Sequence, residues 1–431
     1  MTAPGLLTDR YELTMLSSFL AAGSAGRRAV FEVFARRLPS GRRYAVFAGL
    51  GRLLDHIERF RFDAGEIAWL RDAGAITEQC AHYLADFRFT GDVDAYREGE
   101  IWFGGSPLVT VQGPLGECIV LETLILSVLN HDCAIAAAAA RMVTAARGRP
   151  LIEMGGRRTH EEAAVAAARA AYLCGFAATS NLAAGRAYAI PTVGTAAHAF
   201  TLAHADERTA FANQVAAHGA STTLLVDTYD VAQGIRTAVE VAGLGLGAIR
   251  LDSGDLEVEA RAARALLDEL GAHRTKITVT SDLDEYVLSA LADAPIDSYG
   301  VGTRLVTGSG HPTAGLVYKL VAIAAADAPD APLRSVAKKS AGKPSAGGRK
   351  TAYRQLDAAG YAVAERIVVD NSGTDRPVPG RPLQVPVVRG GVVVHRPSLD
   401  EVRAHHEAAL AELPAQALSV ADGPPALVAT Q

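Results

Sequence analysis

The sequence predicts an α/β protein centred on a parallel α/β barrel, with a smaller α+β domain ahead of it. Three observations lead there. From Leu151 onward, short apolar runs alternate with helical stretches, as repeated strand–helix units do. Seven such runs end one after another in polar or glycine-rich tips. At 431 residues the chain is also long enough for a barrel plus a second domain. A doubly wound open sheet would show the same alternation, but it gathers its ligand at one switch point and would not need functional-looking tips on nearly every strand.

Taken in order, residues 30–34 read as a strand, Pro39-Ser40-Gly41 as a turn and residues 50–60 as an amphipathic helix with apolar positions at three- and four-residue steps. One long helix is expected after Pro114, through Glu117 and the alanines 134–140 to about Gly148. The strand at 151–154 runs into Gly155-Gly156-Arg157-Arg158 and a helix that Gly175 stops. Further strands end at Thr179-Ser180-Asn181, at Gly194-Thr195, at Asp227, at Asp252-Ser253-Gly254-Asp255, at Ser281-Asp282 and at Gly300-Val301-Gly302-Thr303. In a parallel barrel such ends converge on one face. This divides the chain into an α+β domain (1–115), the barrel (116–325) and a C-terminal segment (326–431). Residues 338–350 form a basic loop of unassigned role in that segment, the strands near 363–369 and 392–394 could complete the first domain, and the tail beyond Pro414 is expected to be patternless and open to disorder.

Lys and Arg number 42 against 47 Asp and Glu, a net charge of −5, which argues against a surface built for nucleic acid or anionic membrane. Any basic site must be local. Cys80, Cys118, Cys133 and Cys174 form no CxxC pair, so neither a zinc site nor a disulfide framework is expected, and a reducing cytoplasm fits. Asp9, Arg10 and Glu12 stand where a signal peptide would need an apolar run. The uncharged stretch 187–205 is broken by Pro191, Gly194, His198 and His204, so it reads as buried core and not as a membrane span.

The residues left at the tips suit a phosphorylated sugar. Gly300, Gly302 and Thr303 can present backbone N–H groups and a hydroxyl to a phosphate, or simply make a tight turn. Asp252 and Asp255, flanking Ser253, can hold ribose hydroxyls directly or through a magnesium ion, or cap a helix. Arg157, Arg158 and Arg250 have the planar fork that carboxylates and phosphates prefer, with a structural ion pair as the competing reading. His198, just past a strand tip, is either a structural histidine or a functional one.

Assembled in this order, with Thr8-Asp9-Arg10-Tyr11-Glu12-Leu13-Thr14-Met15 near the start and Arg381-Pro382-Leu383-Gln384-Val385-Pro386 near the end, these motifs resemble the nicotinate phosphoribosyltransferase family. The resemblance spans roughly three quarters of the chain and departs at Met154, where phenylalanine is often seen. It implies an irregular, TIM-like barrel of the type II phosphoribosyltransferase kind, its N-terminal domain completed by C-terminal strands. It implies transfer of the phosphoribosyl group of phosphoribosyl pyrophosphate to nicotinate in NAD salvage, with Mg2+ present and ATP hydrolysis coupled through phosphorylation of His198. By motif, nicotinate falls near Tyr11, Thr195 and Arg250, with Arg157 or Arg158 as a further anion contact. The ribose 5-phosphate falls at Thr303. A homodimer is implied, with each N-terminal domain against its partner's barrel mouth. Nicotinamide or quinolinate as the base, or a catalytically silent barrel that binds sugar phosphates, are the competing expectations.

Overall fold

The structure, a computed structural model, describes residues 4–328, 330–338, 346–369 and 378–430. The chain separates into two units, Met1–Ala134 with Thr313–Gln431, and Ile135–Pro312.

The first unit is built on a seven-stranded antiparallel sheet in the order Leu333–Ser335, Leu316–Ala324, Arg28–Ala35, Val109–Pro114, Asp92–Tyr96, Gln384–Arg389, Val392–Val393. Arg28–Ala35 is buried at nearly every position, which is why Val30, Phe31 and Val33 form a near-continuous apolar run. Its partner Leu316–Ala324 pairs Leu316 with Ala35 and Ile323 with Ala29. That ladder moves residues 313–325 out of the predicted barrel domain, and residues 116–134 also cluster with this unit. From the C-terminal third, Gln384 pairs with Tyr96 and Val385 with Ala95, so Gln384–Arg389 and Val392–Val393 extend the early sheet, whereas Ala362–Val369 belongs to a separate four-stranded sheet.

Three expectations change. The long helix after Pro114 is two, Leu115–Ile119 and Glu122–Ala146. At the break, the Glu12 carboxylate accepts Thr123 N at 2.9 Å, and Thr8 Oγ1 donates to Val120 O at 3.2 Å, so the second helix starts afresh on partners from the first helix region. The tail is structured beyond Pro414, with a 3-10 turn at Ala415–Leu418 and a strand Ala429–Thr430 that pairs with Ala362–Val369. Of the basic loop, residues 339–345 lie outside the described residues, while Lys350 is buried, its Nζ 2.7 Å from Glu32 Oε2. Helix Glu122–Ala146 is long and apolar enough to cross a membrane, yet most of it is buried within the protein, as in a core helix. The four cysteines are buried and none is in a disulfide.

The second unit carries a six-stranded parallel sheet. Its strands are β1 (Leu151–Glu153), β2 (Ala178–Thr179), β3 (Thr223–Leu225), β4 (Ala248–Leu251), β5 (Lys276–Ser281) and β6 (Ser298–Val301), in the spatial order β2-β1-β6-β5-β4-β3. The last strand therefore pairs with the first, Tyr299 with Leu151 and Val301 with Glu153. A seventh run touches the sheet through one parallel bridge, Thr192 to Thr179. Closure into a full barrel is not reached: among the described residues no ladder joins the Thr192 run to β3, its neighbour in sequence. The seam lies where exposed polar and small residues, 191–197, replace the apolar run that a buried parallel strand needs.

A buried charge network holds the first unit's late strands. Arg354 is fully buried, with Nη2 2.9 Å from Glu365 and 2.8 Å from the Ile101 carbonyl. Arg381 reaches Glu100 and Glu412 at 2.7 Å each. Burial alone would raise the Glu100 carboxyl. Hydrogen bonds from His405 and Arg381, with the Arg381 and Arg354 charges, outweigh it and push Glu100 down to about 2. An unfolded glutamate titrates near ~4.3, so the stabilisation from Glu100 is complete above that range and is lost as pH falls through it toward about 2. Glu100→Gln leaves the buried Arg354 and the half-buried Arg381 undercompensated and is expected to cost about 3–5 kcal/mol at pH 7. Urea unfolding of both proteins should show this gap narrowing as pH falls below about 4.

Candidate active site

The C-terminal ends of the parallel strands surround a cavity of about 730 Å3. At the end of β1, Glu153 is buried and its carboxylate accepts Gly155 N and Thr179 Oγ1, each at 2.5 Å, which ties the first tip to the second. Burial raises this carboxyl above the usual range, against those two hydrogen bonds. A side chain on Gly155 would meet Val306 at 2.2 Å, so only glycine lets this loop cross the helix that follows β6. Beyond it, Arg157 and Arg158 are exposed and have no acidic partner among the described residues, which removes the ion-pair explanation for both.

Arg250 on β4 is held on every side. Its Nε donates to Thr280 Oγ1 at 2.9 Å, Nη1 to Thr195 Oγ1 at 2.9 Å and the Ala196 carbonyl at 3.3 Å, and Nη2 to Asp252 Oδ1 at 2.9 Å. Burial alone would raise Asp252. Hydrogen bonds from Thr280 and Arg250, and the Arg250 and His198 charges, hold it below the usual carboxylate range. Asp252 is thus a fixed anion at neutral pH.

Asp227, at the end of β3, organises the neighbouring tips. Its side chain is almost wholly buried, Oδ1 lies 3.2 Å from His198 Nε2, and Oδ2 accepts Asp252 N at 2.9 Å and Ser253 Oγ at 2.7 Å. At β6, a side chain on Gly300 would meet the Thr280 methyl at 2.6 Å and the Met154 sulfur at 2.7 Å, so its absence leaves an apolar floor between them. Thr303 opens a one-turn helix, Thr303–Val306, whose first N–H groups have no acceptor within the helix.

Of the residues expected at the site, Arg157, Arg158, Thr195, His198, Arg250, Asp252, Gly300, Gly302 and Thr303 line this one cavity. Ser253 and Asp255 do not. Ser253 bonds to Asp227, and Asp255 caps helix Leu256–Glu269, its Oδ1 accepting Val258 N at 3.2 Å. Tyr11 belongs to the other unit, where burial and the Glu122 and Glu12 carboxylates push its phenol up to about 12. The sequence reading names Asp227 only as a strand end and gives neither it nor Thr280 and Glu153 a role at the site. Each sits at a strand end, the signal that marked the others, but what they bind is set by neighbouring strands.

Comparison with known proteins agrees with the geometry. Residues 6–130 match the family model of the nicotinate phosphoribosyltransferase (NAPRTase) N-terminal domain. The nicotinate phosphoribosyltransferase pncB1 of Mycobacterium tuberculosis is 55% identical over 98% of this chain and 94% of its own. The nicotinate phosphoribosyltransferase of Bacillus subtilis is 39% identical over 74% of this chain and 66% of its own. In fold, the chain resembles the crystal structure of human nicotinic acid phosphoribosyltransferase, with a TM-score of 0.82, 24% identity and 98% of both chains covered. It also resembles a nicotinate-nucleotide pyrophosphorylase from Pyrococcus furiosus, with a TM-score of 0.77 and 24% identity over 95% of this chain and 96% of that one.

The contact between Asp227 and His198 Nε2 predicts that the neutral imidazole carries its proton on Nε2. Nitrogen-15 spectra should show that tautomer in the native protein and a mixture in Asp227→Ala. The variant should also lose about 1–3 kcal/mol in denaturant unfolding, because Asp252 N and Ser253 Oγ lose their acceptor.

Proposed function

The chain belongs to the nicotinate phosphoribosyltransferase family, and from that premise we propose that it joins nicotinate to the phosphoribosyl group of phosphoribosyl pyrophosphate in NAD salvage. The products are nicotinate mononucleotide and pyrophosphate. One observation carries the reading: a single cavity brings together Arg250, the unpaired Arg157 and Arg158, and a tip of Gly300, Gly302 and Thr303 that offers amides and a hydroxyl. These are binding groups for a carboxylate and for phosphates.

The chemistry asks for little more. A pyridine nitrogen is a neutral nucleophile at pH 7, so its lone pair forms the bond to C1 as the C1–O bond to pyrophosphate breaks, and no proton has to move. What remains is to hold two anionic substrates together and to stabilise positive charge on the sugar. Arg250 takes the nicotinate carboxylate, Thr303 and the neighbouring amides take the 5-phosphate, and Arg157 and Arg158 take the pyrophosphate end. Asp252 faces the ribose as a fixed anion. Magnesium fits this donor set, since it commonly binds one or two carboxylates plus substrate phosphates. Asp252 keeps Oδ2 without a protein partner among the described residues and would hold the ion, whereas Asp255 caps its helix outside the cavity. Bound there, magnesium would neutralise charge developing on the leaving pyrophosphate.

We extend the reading to ATP, with His198 as phosphoryl acceptor. Because Nε2 faces Asp227, Nδ1 is the free nucleophile. Its lone pair bonds the γ-phosphorus as the bond to ADP breaks, and water later takes the phosphoryl group to give phosphate. The same reading makes the protein a cytoplasmic homodimer, whose N-terminal unit brings Tyr11 to the partner's site.

Pyrophosphate release from nicotinate, nicotinamide and quinolinate, with and without ATP, tests the substrate. Nicotinate alone should react, and stimulation by nicotinamide instead would overturn the assignment. Arg250→Gln should raise the nicotinate KM by roughly 10- to 100-fold, the value of a charge-assisted hydrogen bond. His198→Asn should abolish ATP stimulation while slow ATP-independent transfer persists. Unchanged coupling in that variant would show that the phosphoryl acceptor lies elsewhere.

A further inference from the structure

The tip assigned to the 5-phosphate has little support of its own. Past β6 the chain makes one helical turn, Thr303–Val306, closed by Val306 N to the Gly302 carbonyl at 3.3 Å and Thr307 N to the Thr303 carbonyl at 3.1 Å. A single turn fixes several dihedrals for few hydrogen bonds, so its shape depends on what holds its ends. Directly after it come three consecutive left-handed residues, Gly308 at φ +64°, Ser309 at φ +51° and Gly310 at φ +88°. Two are glycines, for which this region is free. Ser309 carries a Cβ that disfavours it, and such a residue persists there only where its surroundings hold it.

What holds it is a buried carboxylate. Ser309 Oγ donates to Glu285 Oε2 at 2.5 Å, and Glu285 Oε1 accepts Arg141 Nε at 3.0 Å, with both members of that ion pair buried. Glu285 is the first residue of helix Glu285–Ala290, whose cap Asp284 accepts Tyr286 N at 3.0 Å and Val287 N at 2.9 Å, so the segment that follows the β5 tip fixes its place. The same two loops also meet at an Arg304–Asp282 pair, 3.3 Å apart. That pair is exposed on both sides and holds weakly. A hydroxyl that donates to an ionised carboxylate away from water makes the stronger bond. Glycine at 309 would take the left-handed conformation without strain but could not make this contact, and the contact is what a serine adds there.

We propose that Ser309 and Glu285 are positioning residues for the phosphoribosyl 5-phosphate: the carboxylate, anchored by Arg141, clamps Ser309 in the left-handed turn and so fixes the far end of the single helical turn whose near end, Thr303, lines the cavity. Neither residue lines the cavity itself, so both act through the Gly300–Thr303 tip. This rests on the reading that the tip takes the 5-phosphate. The clamp leaves Arg250 and the base side of the cavity untouched, so its loss weakens one substrate and spares the other.

The test compares Ser309→Ala and Ser309→Gly with the wild type in the full-length protein, without ATP. Ser309→Ala loses the hydrogen bond and keeps the strained backbone, whereas Ser309→Gly loses the bond and removes the strain. Glu285 stays in place, because its removal would strand Arg141 in the interior. In both variants the phosphoribosyl pyrophosphate KM and the Ki of ribose 5-phosphate should rise about 5- to 50-fold, within the value of one hydrogen bond to a charged group, while the nicotinate KM and the Ki of inorganic pyrophosphate stay at wild-type values. Wild-type constants in Ser309→Ala, or in Ser309→Gly, where backbone shape alone would then set the tip, overturn the clamp. Equal rises in all four constants also overturn it, as a general loosening. In hydrogen exchange, ribose 5-phosphate should protect residues 300–304 of the wild type. No protection there overturns instead the assignment of the 5-phosphate to this tip, so the two failures are distinguishable.

Discussion

The pairing of β6 with β1 is the constraint on which the site depends. Parallel strands share a direction, and a last strand laid against the first brings the strand ends from both halves of the run together on one edge of the sheet. Met154 N donates to the Val301 carbonyl at 2.8 Å, which seats the Arg157–Arg158 loop beside the glycine-rich tip although some 145 residues separate them. In the same sheet β4 lies beside β5, where Thr278 pairs with Arg250 and Thr280 comes within reach of its side chain.

Around those strand ends, charge is arranged rather than abundant. The chain is acidic overall, yet its exposed, unpaired Arg157 and Arg158 face the same cavity as Arg250. A concave site lined this way concentrates potential where a polyanionic substrate sits, and the net charge of the whole chain matters little at that range. The buried and half-buried carboxylates serve a different purpose. Asp227 and Glu153 spend their oxygens on backbone N–H groups and side chains of adjacent tips, and so fix loops that would otherwise be free.

In the first unit the organising interactions are buried ions. Arg354, Glu100 and Glu365 come from distant parts of the chain and meet away from solvent, with the half-buried Arg381 and Glu412 at the edge of the group. Nothing in their local sequence announces this. Arg354 and Glu365 look like ordinary strand-surface charges until the strands pair, and Lys350 looks like part of a solvated basic loop until Glu32 is placed beside it. Removing one partner of such a pair costs more than the pair adds, so these residues constrain which packing is tolerated.

By itself, the sequence determined the strand-and-helix alternation, the helices at Leu50–Arg59, Glu161–Leu173 and Val231–Ala242, and the residue types at the strand ends. Those features are local: hydrophobic period, capping residues and glycine stops act over a few positions. Tertiary structure decided the rest. It placed Leu316–Ala324 in the antiparallel sheet, broke the helix at Val120 with the help of Thr8 and Glu12, and left a seam beside Thr192 in place of a closed barrel. It also raised Asp227, in sequence only the end of a strand, to the residue that joins His198 to the Asp252 tip. The reason is that a polar side chain's role is set by the partner it meets, and those partners lie tens to hundreds of residues away along the chain.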